Sequence, residues 1–107
     1  MTYAEMFARA KALLESADAG AVQGHLAYQF NVTGEAAGVF YVEVKDGQVH
    51  VEPYDYKDRD AQFTCSAETL EKIASGKTDP VAAVMMGKLK VEGSIEKALK
   101  LKDLLKK

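Results

Sequence analysis

The sequence predicts an α+β fold, in which a twisted, mainly antiparallel sheet of about five strands carries helices on one face. Apolar and polar residues alternate at 26–32, 39–45 and 61–65, as in strands that have one buried and one wet face. Apolar residues instead recur at helical spacing at 3–14 and 95–105. These two periodicities in one chain favour strands and helices packed around a common core.

The chain has 107 residues, which suits one domain covering 1–107. No repeat, low-complexity tract or linker divides it. The first helix begins at Thr2, which forms a capping-box pattern with Glu5. Gly20 lies beyond its predicted end. The apolar face of this helix comprises Tyr3, Met6, Phe7, Ala10, Leu13 and Leu14.

A meander of three strands follows. The dipeptide Asp46-Gly47 is a strong two-residue hairpin signal between the second and third strands. Pro53 ends the third strand or marks it as an edge strand. After a polar crossing, a fourth strand places Ala61, Phe63 and Cys65 on its apolar side.

The last third of the chain reads as helix, helix, strand, helix. Ser66 caps a short helix, and Asp79 followed by proline starts a second helix that Gly87 ends. Leu89 and Val91 then form a short strand, and Ser94 caps the final helix. Leu104 is predicted at the margin of this helix's wide apolar arc. The arc itself comprises Ile95, Ala98, Leu99, Leu101 and Leu105.

Two stretches resemble the sterol carrier protein type 2 family, also called non-specific lipid-transfer proteins. They are GVFYVEVKDGQV at 38–49 and SAETLEKIASGKTDPVAAVMMGKLKVEGSIEKALKL at 66–101, and the likeness runs from about residue 2 to 105. The resemblance implies a five-stranded sheet whose helices enclose an apolar tunnel. It also implies intracellular binding and transfer of a fatty acid, acyl-CoA or sterol-like lipid with low selectivity.

Two features favour a lipid cavity over a solid core. The apolar arc of the final helix is wider than one packing contact needs. Met85 and Met86 supply unbranched side chains that repack around guests of varied shape. We therefore expect the lipid to be lined by Phe30, Phe40, Val42, Phe63, Ile73, Val84, Met85, Met86, Leu99 and Leu105.

An empty cavity of this kind would be costly. A lipid pocket of ~300 Å³ left void costs about 7 kcal/mol, against a total stability of ~5–15 kcal/mol. The protein is therefore expected to carry lipid or to close its helices inward. The sequence does not determine which residues bind the lipid headgroup, and the candidates are Gln23, Tyr28 and Gln29.

Catalysis, a metal and a cofactor are not expected. His25 and His50 fall on polar strand faces, and Cys65 reads as a small buried hydrophobe without a paired base. The acidic residues Asp55, Asp58 and Asp60 lack the spacing of a calcium loop. The expected protein is therefore not an enzyme.

Charge and cysteine content bear on partners and location. The net charge of −2 argues against nucleic acid. Residues 88–107 nevertheless carry seven lysines against three acidic residues, which suits either a solvated helix or transient contact with an anionic membrane. A single cysteine and a start unlike a signal peptide favour the cytoplasm.

A different class of function is left open by the same pattern. The apolar stripe at 95–105 also suits an interaction module whose groove receives a partner helix or subunit.

Overall fold

In the computed structural model, residues 1–17, 24–55 and 57–105 are described, and they form the predicted α+β fold. Gly20 lies outside these residues. The sheet has five strands in the order β3-β2-β1-β4-β5. Strands β1 and β4 are parallel, and the other neighbouring pairs are antiparallel, so the mainly antiparallel sheet is confirmed. In chain order, the elements are α1 Tyr3–Glu15, β1 Leu26–Thr33, β2 Gly38–Lys45, β3 Gln48–Glu52, β4 Ala61–Ser66, α2 Ala67–Ala74, α3 Pro80–Met85, β5 Lys90–Gly93 and α4 Ile95–Leu105.

The first helix follows its sequence signals closely. Thr2 and Glu5 form the predicted capping box, in which each side chain accepts a backbone N–H of the other residue. Helix α1 buries Met6, Ala10 and Leu14 against the sheet. Within the described residues, no helix combines the length and the apolar composition that crossing a membrane requires.

The hairpin between β2 and β3 also matches its prediction. Asp46 and Gly47 have φ angles of 52° and 75°, so both central residues are left-handed, as a type I′ turn requires. Strand β3 ends at Glu52, just before Pro53, and it is an edge strand of the sheet.

The parallel pairing of β1 with β4 brings aromatic rings together across the sheet. Phe30 on β1 lies opposite Phe40 on β2 and opposite Phe63 on β4. Asp60 anchors the start of β4, because its backbone N–H donates to the Ala27 carbonyl and its carboxylate accepts the Ala27 N–H. This register places the three phenylalanines in one row beneath the helices.

The three later helices begin at their predicted caps. Ser66, Asp79 and Ser94 each accept a backbone N–H near the start of α2, α3 and α4. Helix α3 has six residues, of which Ala83 is buried. Strand β5 begins at Lys90, one residue later than predicted.

The predicted rotation of α4 is partly wrong. Leu104 is fully buried and lies within the packed face, whereas it was placed at the margin. Ile95 and Leu99, placed inside the apolar arc, are 60% and 53% exposed. The buried face of α4 therefore comprises Ala98, Leu101, Leu104 and Leu105, while Ile95 and Leu99 lie at its exposed edge.

Candidate functional site

A row of aromatic rings fills the space between the sheet and the helices. The ring centroids of Phe30 lie 5.1 Å from those of both Phe40 and Phe63, and Tyr28 contacts Phe63 edge-on at 5.2 Å. Phe30, Phe40 and the neighbouring Val42 are fully buried. The middle of the fold is therefore solid, and the predicted tunnel is not confirmed there.

An apolar groove lies to one side of this row, between α3, β5 and α4. Its volume is about 130 Å³. Phe63 and Val91 belong to β4 and β5, which pair directly, so the groove reaches down to the sheet. Its lining residues are Phe63, Pro80, Val81, Val84, Leu89, Val91, Ile95, Ala98, Leu99 and Lys102. We call this space the apolar groove.

Large apolar side chains at the rim of the groove remain uncovered. Ile95 and Leu99 stand one helical turn apart on α4, and Val84, which faces the same groove from α3, is 42% exposed. Clustered exposed hydrophobic side chains mark binding surfaces more often than scattered ones do. The rim of the groove thus has the character of an apolar binding surface.

One ion pair joins the two helices that flank the groove. Lys102 Nζ on α4 lies 3.5 Å from Asp79 Oδ2 at the start of α3. Both side chains are about half exposed, so the pair contributes about 0–1 kcal/mol. A second cavity of about 260 Å³ shares Pro80 and Lys102 with the groove and is also lined by Ile73 and Leu105. The ion pair and Pro80 therefore lie between two adjacent spaces.

The structure distributes the ten predicted lining residues among several places. Phe63, Val84 and Leu99 line the apolar groove, while Ile73 and Leu105 line the second cavity. Phe30, Phe40 and Val42 belong to the packed core. Their contact with lipid stays a prediction.

The two methionines lie apart from the apolar groove. Met85 is 84% exposed at the end of α3. Met86, 57% exposed, borders a larger groove of about 510 Å³ with a mixed polar and apolar lining, to which Lys72, Lys88 and Lys90 also contribute. Lipid contact by these methionines likewise stays a prediction.

Sequence reasoning did not select several residues that line the groove. The expected lining residues do not include Leu89 and Val91 of the predicted short strand, Ile95 of the predicted apolar arc, or Lys102 of the lysine-rich region. The alternation of Leu89 and Val91 with lysines is an available signal, because in extended chain it places both apolar side chains on the same side.

The candidate headgroup partners that the structure describes, Tyr28 and Gln29, lie outside the apolar groove. Tyr28 is fully buried, and its hydroxyl donates a 2.6 Å hydrogen bond to the Lys97 carbonyl. Burial, reinforced by Asp60 and Asp103, raises the pKa of Tyr28. Gln29 lies on the polar face of the sheet, hydrogen-bonded to Asn31, and Gln23 lies outside the described residues. Neither Tyr28 nor Gln29 borders the apolar groove.

The residues considered for catalysis have ordinary structural roles. Cys65 is buried, and burial raises the pKa of its thiol to about 12, so the reactive thiolate is scarce near neutral pH. His25 and His50 are exposed, and His25 pairs with Glu43 at 2.8 Å. Among the described residues, no group of three histidine, cysteine or acidic side chains is arranged to hold a metal ion.

Comparison with known proteins gives a consistent family. The model of the SCP-2 sterol transfer family matches residues 7–106. Hydroxysteroid dehydrogenase-like protein 2 of Rattus norvegicus is 40% identical over 81 residues, which cover 73% of this chain and 15% of that protein. Sterol carrier protein 2 of Arabidopsis thaliana is 32% identical over 79 residues, or 70% of this chain and 64% of that protein. The chain spans less than two thirds of these curated relatives.

Solved structures share the fold. Sterol carrier protein 2 of Aedes aegypti, in complex with the C16 fatty acid palmitate, has a TM-score of 0.67 and 24% identity, covering 99% of this chain and 96% of its own. The apo form of sterol carrier protein 2 from Yarrowia lipolytica has a TM-score of 0.64 and 22% identity, covering 94% and 86%. At this identity the two structures establish the architecture alone.

Proposed function

The chain belongs to the SCP-2 sterol transfer family, and we propose that it binds and transfers a lipid whose acyl chain occupies the apolar groove. The observation that carries the proposal is the set of uncovered side chains Val84, Ile95 and Leu99 around Phe63. The ligand class is a fatty acid, acyl-CoA or sterol-like lipid. Within that class we propose a fatty acid as the first candidate ligand, since the Aedes aegypti structure of this fold contains palmitate.

Binding requires the groove to widen. Its volume of about 130 Å³ is below the ~300 Å³ at which ligand pockets usually begin. Helix α3 is the element suited to move, because it is six residues long and buries only Ala83 of them. Its movement away from α4 breaks a half-exposed ion pair and joins the groove to the second cavity, which brings the space into the usual range.

The energetics of such a site suit transfer. Burying an acyl chain gains about 0.8 kcal/mol per CH₂ group, and a bilayer offers nearly the same gain. The free energy that the acyl chain gains in the protein therefore needs only to match the gain in the membrane, so loading and unloading are both feasible. Selectivity is low, because apolar contacts distinguish similar chains by only ~1–3 kcal/mol per CH₂ group.

The first test is a charged substitution inside the groove. Leu99→Glu should weaken binding of a fluorescent fatty acid at least about tenfold, because it places a carboxylate among apolar groups. Tyr54→Glu makes the same change at an exposed site outside the groove, and should leave affinity within about twofold. Far-UV circular dichroism should be native for both variants.

Met85→Glu, measured beside these two variants, decides whether this exposed methionine takes part in binding. Equal affinity of the Leu99 and Tyr54 variants would contradict the placement of the ligand. A wild-type protein that binds no fatty acid would overturn the function itself.

A partner-binding module is the second candidate. It is favoured by the exposure of Val84, Met85, Met86, Ile95 and Leu99 along α3 and α4. Light scattering after size exclusion separates the two functions. A lipid carrier should stay monomeric with and without fatty acid. A protein that uses this surface to bind a partner should instead self-associate when it is alone. Neither fatty acid nor detergent below its micellar concentration should then prevent this association.

We also propose a cytoplasmic location and transient membrane contact through the lysine-rich region 88–107. The support is the excess of lysine over acidic residues in that region. Sedimentation with phosphatidylserine vesicles should exceed sedimentation with phosphatidylcholine vesicles, and this difference should disappear in high salt. Equal sedimentation would rule out this contact.

A further inference from the structure

Among the described residues that line the apolar groove, one is charged. Lys102 lines its wall together with nine apolar side chains. Ile95, Leu99 and Lys102 follow each other at spacings of four and three, so they lie along one face of α4. From Ile95 to Lys102 this face is about 10 Å long at 1.5 Å per residue. A hydrocarbon chain lying along this face can place one end near the ammonium group of Lys102.

The position already accommodates a carboxylate. Asp79 Oδ2 lies 3.5 Å from Lys102 Nζ, while Asp79 Oδ1 accepts the Val81 N–H at 2.9 Å and so caps α3. An ammonium group has three donors, so Lys102 can serve a second acceptor or exchange one carboxylate for another. Because this ion pair is half exposed, a ligand displaces it at little cost.

We propose that Lys102 binds the carboxylate of a fatty acid whose chain lies in the apolar groove, in competition with Asp79. This inference rests on the proposed function and adds a headgroup specificity to it. A fatty acid is ionised at neutral pH, so its carboxylate complements the positive charge of Lys102. A fatty alcohol of equal length fills the groove without this interaction.

The test measures laurate and 1-dodecanol binding by isothermal titration calorimetry. Lys102→Met keeps a long apolar side chain and removes the charge, so laurate should bind about fivefold more weakly while dodecanol stays within about twofold. Asp79→Asn retains an N-cap and removes the competing carboxylate, so laurate should bind about two- to threefold more tightly. Lys102→Arg should restore laurate binding.

Lys100→Met is the matched control, because it removes a lysine from the same helix but outside the groove and the second cavity. It should leave both affinities within about twofold. If Lys102 only tethers α3 to α4, Lys102→Met and Asp79→Asn should shift both ligands in the same direction, and that result would overturn the inference. Loss of both ligands alike in Lys102→Met would overturn it as well. A wild-type protein that binds neither ligand overturns the proposed function, whereas wild-type laurate affinity in Lys102→Met overturns this inference alone.

Discussion

Two pairs of helices pack on the same sheet and leave different volumes of open space. Helices α1 and α2 form the closed end, where the space between them is about 10 Å³. Helices α3 and α4 form the open end, with the apolar groove and the second cavity. The apolar groove therefore lies at the end where the helices leave more space above the sheet, beside the row of aromatic rings and not within it.

The closed end is held by several independent contacts. Arg9 on α1 pairs with Glu71 on α2 at 3.0 Å, and Lys11 donates to the Val51 carbonyl at 3.0 Å. Phe7 packs edge-on against Phe40 with centroids 5.9 Å apart. At the open end, α3 has half the length of α1 and is joined to α4 by the half-exposed Asp79–Lys102 pair. The two ends therefore differ in the length of their helices and in the number of side-chain contacts that hold these helices in place.

The largest expected effect is a difference in the free energy of unfolding that is lost when a leucine is truncated at each end. Leu14→Ala removes a fully buried side chain at the closed end and should destabilise the protein by about 2–5 kcal/mol. Leu99→Ala makes the same truncation on a half-exposed side chain at the open end and should cost below about 1 kcal/mol. Urea unfolding measures both, and similar costs would show that the open end is as tightly packed as the closed one.

An intermediate effect is expected where α1 meets β2. A Cβ atom at Gly38 would lie 2.5 Å from Tyr3 Cδ2, and the Tyr3 hydroxyl donates to the Val39 carbonyl. Gly38→Ala should therefore displace the first turn of α1 and cost about 1–3 kcal/mol in thermal or urea unfolding. The cost should shrink in a Tyr3→Ala background. An unchanged cost there would mean that the ring is not what excludes the methyl group.

The smallest effect concerns Cys65 on β4, the strand that both ends share. Burial raises the pKa of this thiol to about 12, so the folded state holds its proton more tightly than the unfolded state. The resulting stability is present at low pH and is lost as the pH rises above about 9 toward 12. Between pH 8 and 10, the wild type should lose about 1 kcal/mol more than Cys65→Ala. Parallel pH profiles would show that folding does not raise the pKa of this thiol.

Local signals in the sequence were sufficient for most of the fold. Thr2 with Glu5, Asp46 with Gly47, and Asp79 with Pro80 each determine backbone geometry within a few residues, so their elements could be placed without tertiary information. The five-stranded sheet followed from alternation. The resemblance supplied the family, and the match to residues 7–106 confirms it.

The site was harder to predict, because periodicity identifies an apolar side chain but not what covers it. Phe40 and Leu99 both lie on apolar faces, yet Phe40 is fully buried among aromatic rings and Leu99 faces an open groove. Helix α3 is apolar on several sides, so its sequence alone could not show that Ala83 would pack inward and Met85 outward. Which face is covered depends on how α3 and α4 meet, a tertiary property.

The walls of the apolar groove come almost entirely from one uninterrupted stretch of chain. The lining residues that the structure describes all fall between Pro80 and Lys102, with the exception of Phe63. Under the proposed function, ligand preference is set by this one stretch, which can be exchanged between homologues as a unit while the capped first helix and the hairpin keep their sequences. A scaffold of this kind separates the part that must fold from the part that is free to diversify.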